Sequence, residues 1–121
     1  MKGKIKIVIA DDSPDICQTW KDILTEKGYA VETVSNGYEI LACLKEDPPR
    51  IIVLDLMMPE KGGIEIFATI KALSPDTKII IYTGFKKYED SPYARMADKF
   101  LLKDNDPGKL LQAISEIAQI K

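Results

Sequence analysis

Residues 51–55 read Ile-Ile-Val-Leu-Asp, an uninterrupted apolar run that ends in an acidic residue. A short run of β-branched residues without polar alternation is typical of a strand that is covered on both faces, as strands in a parallel sheet are. Comparable runs occur at Ile5–Ile9, where Lys6 is the one polar residue, and at Ile79–Tyr82. These three segments therefore predict the centre of a buried parallel sheet.

Two further strands are predicted on either side of this centre. Ala30–Val34 alternates apolar and polar residues more than the others do, which favours a strand at the edge of the sheet. Phe100–Leu102 is the last strand of the series. The first predicted helix begins at Ser13-Pro14 and is stopped by Gly28. Further helices are predicted at Gly37–Glu46, Gly63–Leu73 and Pro107–Ile120.

The fourth helix is the weakest of the predicted elements. Its segment, Gly84–Ala97, contains Ser91 and Pro92, and proline lacks the amide hydrogen that a helix interior needs. We expect this helix to be short, to start late or to be partly irregular. The other connections are short, as they are in compact α/β domains.

Five βα units in 121 residues predict a flavodoxin-like doubly wound α/β fold with about five helices. Because crossovers between parallel strands are right-handed, the five-stranded sheet is expected to have the order 2-1-3-4-5. Binding sites in such sheets form beyond the carboxyl ends of the strands, where the order switches between strands 1 and 3. This edge is therefore where chemistry is expected.

The composition describes a single domain that covers residues 1–121. The chain is 45% apolar and 30% charged, and its 17 basic and 19 acidic residues give a net charge of -2. A chain of this length buries enough surface to fold without disulfides or structural metal. No run approaches the ~20 apolar residues that span a bilayer, and no secretory signal opens the chain, so we expect a cytoplasmic protein without a membrane partner. The lack of a basic stripe argues against direct nucleic-acid binding.

Cysteine and histidine usage excludes several kinds of chemistry. Cys17 and Cys43 form no CxxC pair and the chain has no histidine, so zinc sites and histidine-activated nucleophiles are poorly supported. We interpret the cysteines as small apolar residues on helix faces in a reducing compartment. Any reaction must then depend on carboxylates, hydroxyls, lysines or a hard metal ion.

Polar residues follow the central strands at the edge where chemistry is expected. They are Asp11-Asp12 after the first strand, Asp55 after the third, Thr83-Gly84 after the fourth and Lys103 after the fifth. Each alone also fits a turn, a helix cap or a surface position. Together they gather three carboxylates, and like charges about 4 Å apart repel by roughly 4 kcal/mol at an effective dielectric constant near 20. Mg²⁺, which prefers carboxylate, carbonyl and water oxygens, would relieve this repulsion.

These residues resemble the receiver domain of bacterial two-component response regulators, including the single-domain chemotaxis type. The resemblance covers essentially the whole chain, and each matching segment follows a predicted strand. The segments are Asp11-Asp12, Asp55-Leu56-Met57-Met58-Pro59 with Gly63, Tyr82-Thr83-Gly84, and Leu101-Leu102-Lys103. Gly62 departs from the family, in which aspartate is frequent at this position. This difference would alter the rigidity of the loop but not the chemistry of the site.

The resemblance implies a phosphorylation-dependent switch. Asp55 would accept a phosphoryl group from the phosphohistidine of a sensor histidine kinase or phosphotransfer protein. Mg²⁺ would be bound directly by Asp12 and Asp55, through water by Asp11, and by the carbonyl of Met57. The chain would not be an enzyme that acts on a separate substrate, because it would catalyse only its own phosphoryl transfer and hydrolysis.

The resemblance also implies how the phosphoryl group is held and how its presence is signalled. Lys103 and Thr83 would contact phosphoryl oxygens, and the amide of Gly84 would donate as well. Thr83 and Phe100 would form the switch, with Phe100 as the aromatic residue that changes its rotamer. The output face would comprise the fourth helix, fifth strand and fifth helix, which would contact an effector domain or protein.

One departure from the family lies beside this output face. The family commonly has a cis proline after the lysine, whereas Asp104 follows Lys103 here. A cis bond without proline costs about 3–4 kcal/mol, so we predict a trans bond and a reshaped loop. We also expect the output face to be unusually mobile and to order on binding a partner.

Three other functions are alternatives to this interpretation. A phosphorylation-independent docking domain would keep the same residues without their activity. A flavin-binding electron carrier would need a hydroxyl- and glycine-rich turn after the first strand, where Asp11 and Asp12 would repel a phosphate. A haloacid-type phosphatase would need a second aspartate at the position of Met57.

Overall fold

A five-stranded parallel sheet forms the centre of the computed structural model, which describes residues 3–103 and 106–119. The strands are β1 (Lys6–Ala10), β2 (Ala30–Val34), β3 (Ile51–Leu54), β4 (Lys78–Thr83) and β5 (Lys99–Leu102). Their order is β2-β1-β3-β4-β5, and every neighbouring pair is parallel. The predicted fold class and strand order are confirmed, with β2 at an edge.

Within the described residues, five α-helices cover the two faces of this sheet. They are α1 (Pro14–Glu26), α2 (Gly37–Glu46), α3 (Gly63–Leu73), α4 (Pro92–Met96) and α5 (Pro107–Ala118). Ile120, the predicted end of the last helix, and the bond between Lys103 and Asp104 lie outside the described residues. In the described part of the chain, no helix has both the length and the apolar character needed to cross a membrane.

The sequence signals at the ends of α1 act as predicted. The hydroxyl oxygen of Ser13 accepts a hydrogen bond from the amide of Ile16 at 3.3 Å, and Pro14 occupies the first turn. Gly28 follows the helix with a φ of 101°, a left-handed conformation that glycine adopts without steric cost.

The fourth βα unit is short and late, as predicted. After β4 the chain forms a 3₁₀ turn at Lys86–Tyr88, and α4 has only five residues. Ser91 caps α4 by accepting a hydrogen bond from the amide of Ala94 at 3.3 Å. None of the residues in these two elements is buried. This segment therefore contributes little to the core, because most helix stability in proteins comes from packing an apolar face.

Alternate residues of each strand supply two hydrophobic cores, one on each side of the sheet. Val8 of β1 and Ile52 of β3 pack with the residues of α2 and α3, whereas Ile9 and Val53 pack with those of α1 and α5. All four are essentially inaccessible to solvent. Burying each such side chain contributes about 1.5–3 kcal/mol before the entropy cost of folding is subtracted. The central strands therefore form a rigid base for the loops at their carboxyl ends.

A polar network joins β1, the edge strand β2 and α2, and includes one of the free cysteines. The buried Cys43 thiol donates to Oε2 of Glu32 at 3.2 Å, and Nζ of Lys6 lies 3.2 Å from Oε1 of the same carboxylate. Burial raises the pKa of Cys43 from 9.0 to about 11, and the hydrogen bond and negative charge of Glu32 add to the effect. The thiol is therefore protonated at neutral pH.

This environment predicts a late titration of Cys43. In a Cys17→Ala background, the thiolate absorbance of the folded protein should rise with a midpoint near pH 11, and Glu32→Gln should lower that midpoint. The unfolded chain ionises its thiol first, so the free energy of unfolding should fall as the pH rises from about 9 towards 11. A midpoint near pH 9 in the folded protein would contradict the prediction.

Candidate functional site

The site is formed by loops that the sheet register brings to one edge. The amide of Asp11 donates to the carbonyl of Val34 at 3.0 Å, and the amide of Asp55 donates to the carbonyl of Ala10 at 2.9 Å. These bonds continue the strand pairing by one residue beyond β1 and β3. The two aspartates therefore lie side by side because their strands are neighbours in the sheet.

Asp11 and Asp12 point in different directions although they are adjacent in sequence. Asp11 is buried, and its Oδ1 accepts a hydrogen bond from the amide of Ser13 at 3.0 Å. Asp12 is exposed. Each of these residues and Asp55 nevertheless offers a carboxylate oxygen, and the three oxygens lie within 4.8 Å of one another. The acidic residues predicted from the sequence are thus brought together.

Lys103 supplies the positive charge of the site. Its Nζ lies 2.6 Å from Oδ2 of Asp11 and 3.3 Å from Oδ2 of Asp55. The amide of Lys103 donates to the carbonyl of Thr83 at 2.9 Å, which fixes its backbone beside the end of β4. Its long side chain therefore reaches from the edge strand to the carboxylates that follow β1 and β3.

Burial and charge act on Asp55 and Lys103 in opposite senses. Burial raises the pKa of Asp55, and the charge of Lys103, which favours the carboxylate, does not fully offset burial and the nearby charge of Asp11. Burial alone would lower the pKa of Lys103, but its hydrogen bond to Asp11 and the charges of Asp55 and Asp11 raise it. Lys103 is therefore charged at neutral pH, and ionisation of the Asp55 carboxyl group is less favourable than in water.

Thr83 is fully buried at the end of β4. Its Oγ1 accepts a hydrogen bond from the amide of Phe85 at 3.2 Å, which leaves its own hydroxyl proton available to another acceptor. Gly84 is exposed at the same edge. The structure thus places the hydroxyl predicted from the sequence at the end of β4, on the residue whose carbonyl accepts from the Lys103 amide.

Phe100 lies on β5 rather than at this edge. It is half-buried and packs against the core on the side of α2 and α3, as Tyr93 and Ala97 also do. The register pairs Thr83 with Leu102 and Ile81 with Phe100. Phe100 therefore lies two residues before the carboxyl end of β5. Side chains two residues apart share a face, which places Phe100 and Thr83 on the same side of the sheet.

The loop after β3 is held in place by contacts that the sequence did not reveal. A Cβ atom on Gly63 would lie 2.8 Å from Cα of Leu56 and against the carbonyl oxygen of Asp55, so only glycine fits. The amide of Gly37 donates to the carbonyl of Lys61 at 2.6 Å, which ties the loop to the start of α2. The sequence pattern predicted Gly37 only as the start of a helix.

Tyr88 is a second residue at this edge that the sequence analysis did not identify. Its hydroxyl donates to the thioether of Met57, with Oη and Sδ 3.4 Å apart. The amide of Met57 in turn donates to Oδ1 of Asp55 at 3.2 Å. The two partners of this contact are far apart in sequence and share no motif, so no pattern signalled it.

The donor set fits a hard divalent cation. Carboxylate oxygens from three aspartates lie close together, and two of these aspartates are buried. One ammonium accompanies them, which leaves an excess of negative charge. Hard oxygen donors in this number suit Mg²⁺, which keeps several waters and takes few protein ligands.

Comparisons with known proteins agree with this geometry. The family model described as the response regulator receiver domain matches residues 7–115. The uncharacterized transcriptional regulatory protein YxjL of Bacillus subtilis is 33% identical in an alignment 124 positions long, which covers 98% of this chain and 56% of that protein. The chemotaxis protein CheY of Thermotoga maritima is 29% identical over 117 residues, which cover 94% of this chain and 98% of that protein. This chain therefore spans little more than half of YxjL but nearly all of CheY.

Solved structures give the same result. The response regulator TrrA of Thermotoga maritima, in complex with Mg²⁺ and BeF, superposes with a TM-score of 0.85 at 28% identity, covering 93% of this chain and 97% of that one. A CheY-like receiver domain protein of Methanospirillum hungatei superposes with a TM-score of 0.86 at 31% identity, covering 95% and 93%.

The ion pairs of Lys103 predict a large effect of removing its charge. Lys103→Met leaves two buried carboxylates without a cation, so the free energy of unfolding without divalent ions should fall by about 1–3 kcal/mol. Adding Asp11→Asn should recover part of the loss, because one unpaired charge is removed. Urea denaturation measures both changes.

Lys99→Met is the matched control, because Lys99 is exposed on the same strand. It should change the stability by no more than about 0.5 kcal/mol. A Lys103→Met variant as stable as the unsubstituted protein would show that the ion pairs do not hold the site together.

Proposed function

Since this chain belongs to the response regulator receiver domain family, we propose that it is a phosphorylation-dependent signalling switch that accepts a phosphoryl group on Asp55. The observation that carries the proposal is the position of Lys103, whose Nζ contacts the carboxylates of both Asp11 and Asp55. The family match across residues 7–115 also supports our treating residues 1–121 as one receiver domain.

Asp55 is the acceptor in this proposal. A carboxylate oxygen of Asp55 forms a bond to phosphorus while the bond between phosphorus and the donor breaks, and the electron pair of that bond stays with the donor. Phosphoryl transfer needs positioning and charge neutralisation more than covalent assistance. The amide of Met57 at 3.2 Å and the ammonium of Lys103 at 3.3 Å hold the two oxygens of Asp55 in place.

Mg²⁺ is the proposed cofactor. Asp12 and Asp55 would bind it directly, Asp11 through water, and Met57 through its carbonyl. When bound, the ion would neutralise charge on the carboxylates and on the incoming phosphoryl oxygens. The close approach of the three carboxylates supports this assignment, as does the relative TrrA, whose structure is a complex with Mg²⁺ and BeF.

Lys103 and Thr83 are proposed to bind the transferred group. The Lys103 ammonium is mobile on its long stem and already lies beside Asp55, so it would contact one phosphoryl oxygen. The Thr83 hydroxyl would donate its free proton to a second oxygen, and the exposed Gly84 amide would donate to the group as well. These residues catalyse only phosphorylation and dephosphorylation of the chain itself.

The proposed donor is a sensor histidine kinase or a phosphotransfer protein, and the proposed output surface comprises α4, β5 and α5. Thr83 and Phe100 lie on the same side of the sheet, which supports their roles as the two parts of the switch. Movement of Thr83 towards the phosphoryl group would leave space into which the half-buried Phe100 ring turns. Relatives named as transcriptional regulators and as a chemotaxis protein make both an effector domain and a separate effector protein reasonable.

The acceptor assignment is tested with a small phosphodonor. Acetyl phosphate with Mg²⁺ should add one phosphoryl group to each chain, measured by intact mass, and Asp55→Asn should abolish the addition. Chelation of Mg²⁺ should also prevent it. Asp22→Asn, a substitution of an acidic residue in α1 away from the site, should leave it unchanged.

Two results would count against this proposal. Full modification of the Asp55→Asn variant would exclude Asp55 as the acceptor. A chain that binds neither Mg²⁺ nor beryllofluoride would instead favour the phosphorylation-independent docking domain.

The switch assignment is tested with fluorine-labelled phenylalanine, of which the chain would carry three. Addition of Mg²⁺ and beryllofluoride should shift the Phe100 fluorine resonance, because its ring leaves a half-exposed position. Thr83→Ala, which removes the fully buried hydroxyl, should reduce this shift. A Phe100 resonance that is unchanged in a protein that binds beryllofluoride would exclude its role.

A further inference from the structure

One hydrogen bond joins the β3–α3 loop to the segment after β4 within residues 3–103 and 106–119. The Tyr88 hydroxyl donates to the thioether sulfur of Met57 at 3.4 Å. Met57 follows Asp55 in the loop after β3, and Tyr88 follows Thr83 in the segment after β4. The contact, called the Tyr88–Met57 latch, therefore connects two loops whose strands carry different parts of the site.

Tyr88 is the side of the latch that is oriented by contacts within its own segment. Its amide donates to the carbonyl of Phe85 at 3.2 Å, and its carbonyl accepts from the hydroxyl of Ser91 at 2.6 Å. Its ring meets the Phe85 ring edge to face with centroids 6.4 Å apart, and Nζ of Lys87 lies 5.3 Å from its centroid. Aromatic and cation–π contacts of this kind favour one orientation of the ring.

Met57 is the adjustable side of the latch. Its side chain is 45% exposed and unbranched, so it has little packing to hold it and loses considerable rotamer freedom when it is fixed. Its amide is bound to Oδ1 of Asp55. A contact that restrains this side chain therefore also restrains the backbone that carries the carbonyl assigned to the metal.

We propose that Tyr88 is a positioning residue of the metal centre, which acts by holding Met57 in the conformation that leaves its carbonyl available to the ion. The inference rests on the proposed Mg²⁺ site. Because coupling between two equilibria is reciprocal, bound Mg²⁺ in turn restrains the segment that contains Phe85 and Tyr88. The latch thus connects metal occupancy with the segment that leads into α4.

A pair of conservative substitutions tests the latch. Tyr88→Phe removes the hydroxyl and keeps the ring, and Met57→Leu removes the sulfur and keeps most of the volume. Each should raise the Mg²⁺ dissociation constant about two- to fivefold, and the double variant should raise it no further, because both changes break the same contact. The dissociation constants are measured by amide chemical-shift titration with MgCl₂ alone. Tyr38→Phe, at an exposed tyrosine of α2, should have no effect.

The reciprocal effect gives a readout that a purely structural role would not change. Amide hydrogen exchange at position 88 should slow on addition of Mg²⁺ in the unsubstituted protein and stay constant in Tyr88→Phe. Two results would overturn the latch without contradicting the metal site. One is an unchanged Mg²⁺ dissociation constant in Tyr88→Phe. The other is a dissociation constant of the double variant that rises by the product of the two single increases. A protein that does not bind Mg²⁺ at all would overturn both.

Discussion

The contact of one ammonium with two buried carboxylates is the interaction on which the rest of the site depends. The strand order places Asp11 beside Asp55, and at about 4 Å their mutual repulsion is of the order of 4 kcal/mol at an effective dielectric constant near 20. Lys103, which follows the edge strand β5, offsets much of this repulsion from two strands beyond β3 and three beyond β1. Since Asp12 adds a third carboxylate, the site still has an excess of negative charge. A phosphoryl group would bring further negative charge, which the proposed divalent cation would offset.

The sheet and the edge that carries the site could be predicted from the sequence because both follow from local patterns. Unbroken apolar runs mark strands covered on both faces, and the observed bounds of Ala30–Val34 and Ile51–Leu54 agree with the predicted ones. Parallel strands end at the same edge, so residues that follow different strands had to meet. The short α4 was predictable from Pro92. A helix that began directly after β4 would contain this proline in its interior, where it is not tolerated.

The contacts between loops could not be predicted in the same way. The amide of Gly37 binds the carbonyl of Lys61, and the Tyr88 hydroxyl binds the Met57 thioether, yet neither pair has a spacing or motif that distinguishes it from chance. Such contacts depend on the directions in which side chains and amides leave their backbone, which follow from the assembled fold. The same reason explains the cysteine in α2, which was interpreted as an apolar residue but donates its thiol proton to Glu32 across to β2.

The distribution of packing indicates which part of the molecule responds to the site. β4 is buried along most of its length, so a change at Thr83 cannot be absorbed by the strand itself. The 3₁₀ turn and α4 contribute no buried residue, and local opening is least costly where few apolar contacts must break. Phe100 is half-buried and packs against the same core as Tyr88 and Tyr93 of this weakly packed segment. A rearrangement that begins at Thr83 would therefore meet least resistance towards α4 and Phe100, because α1 and α5 each bury residues against the other face of the sheet.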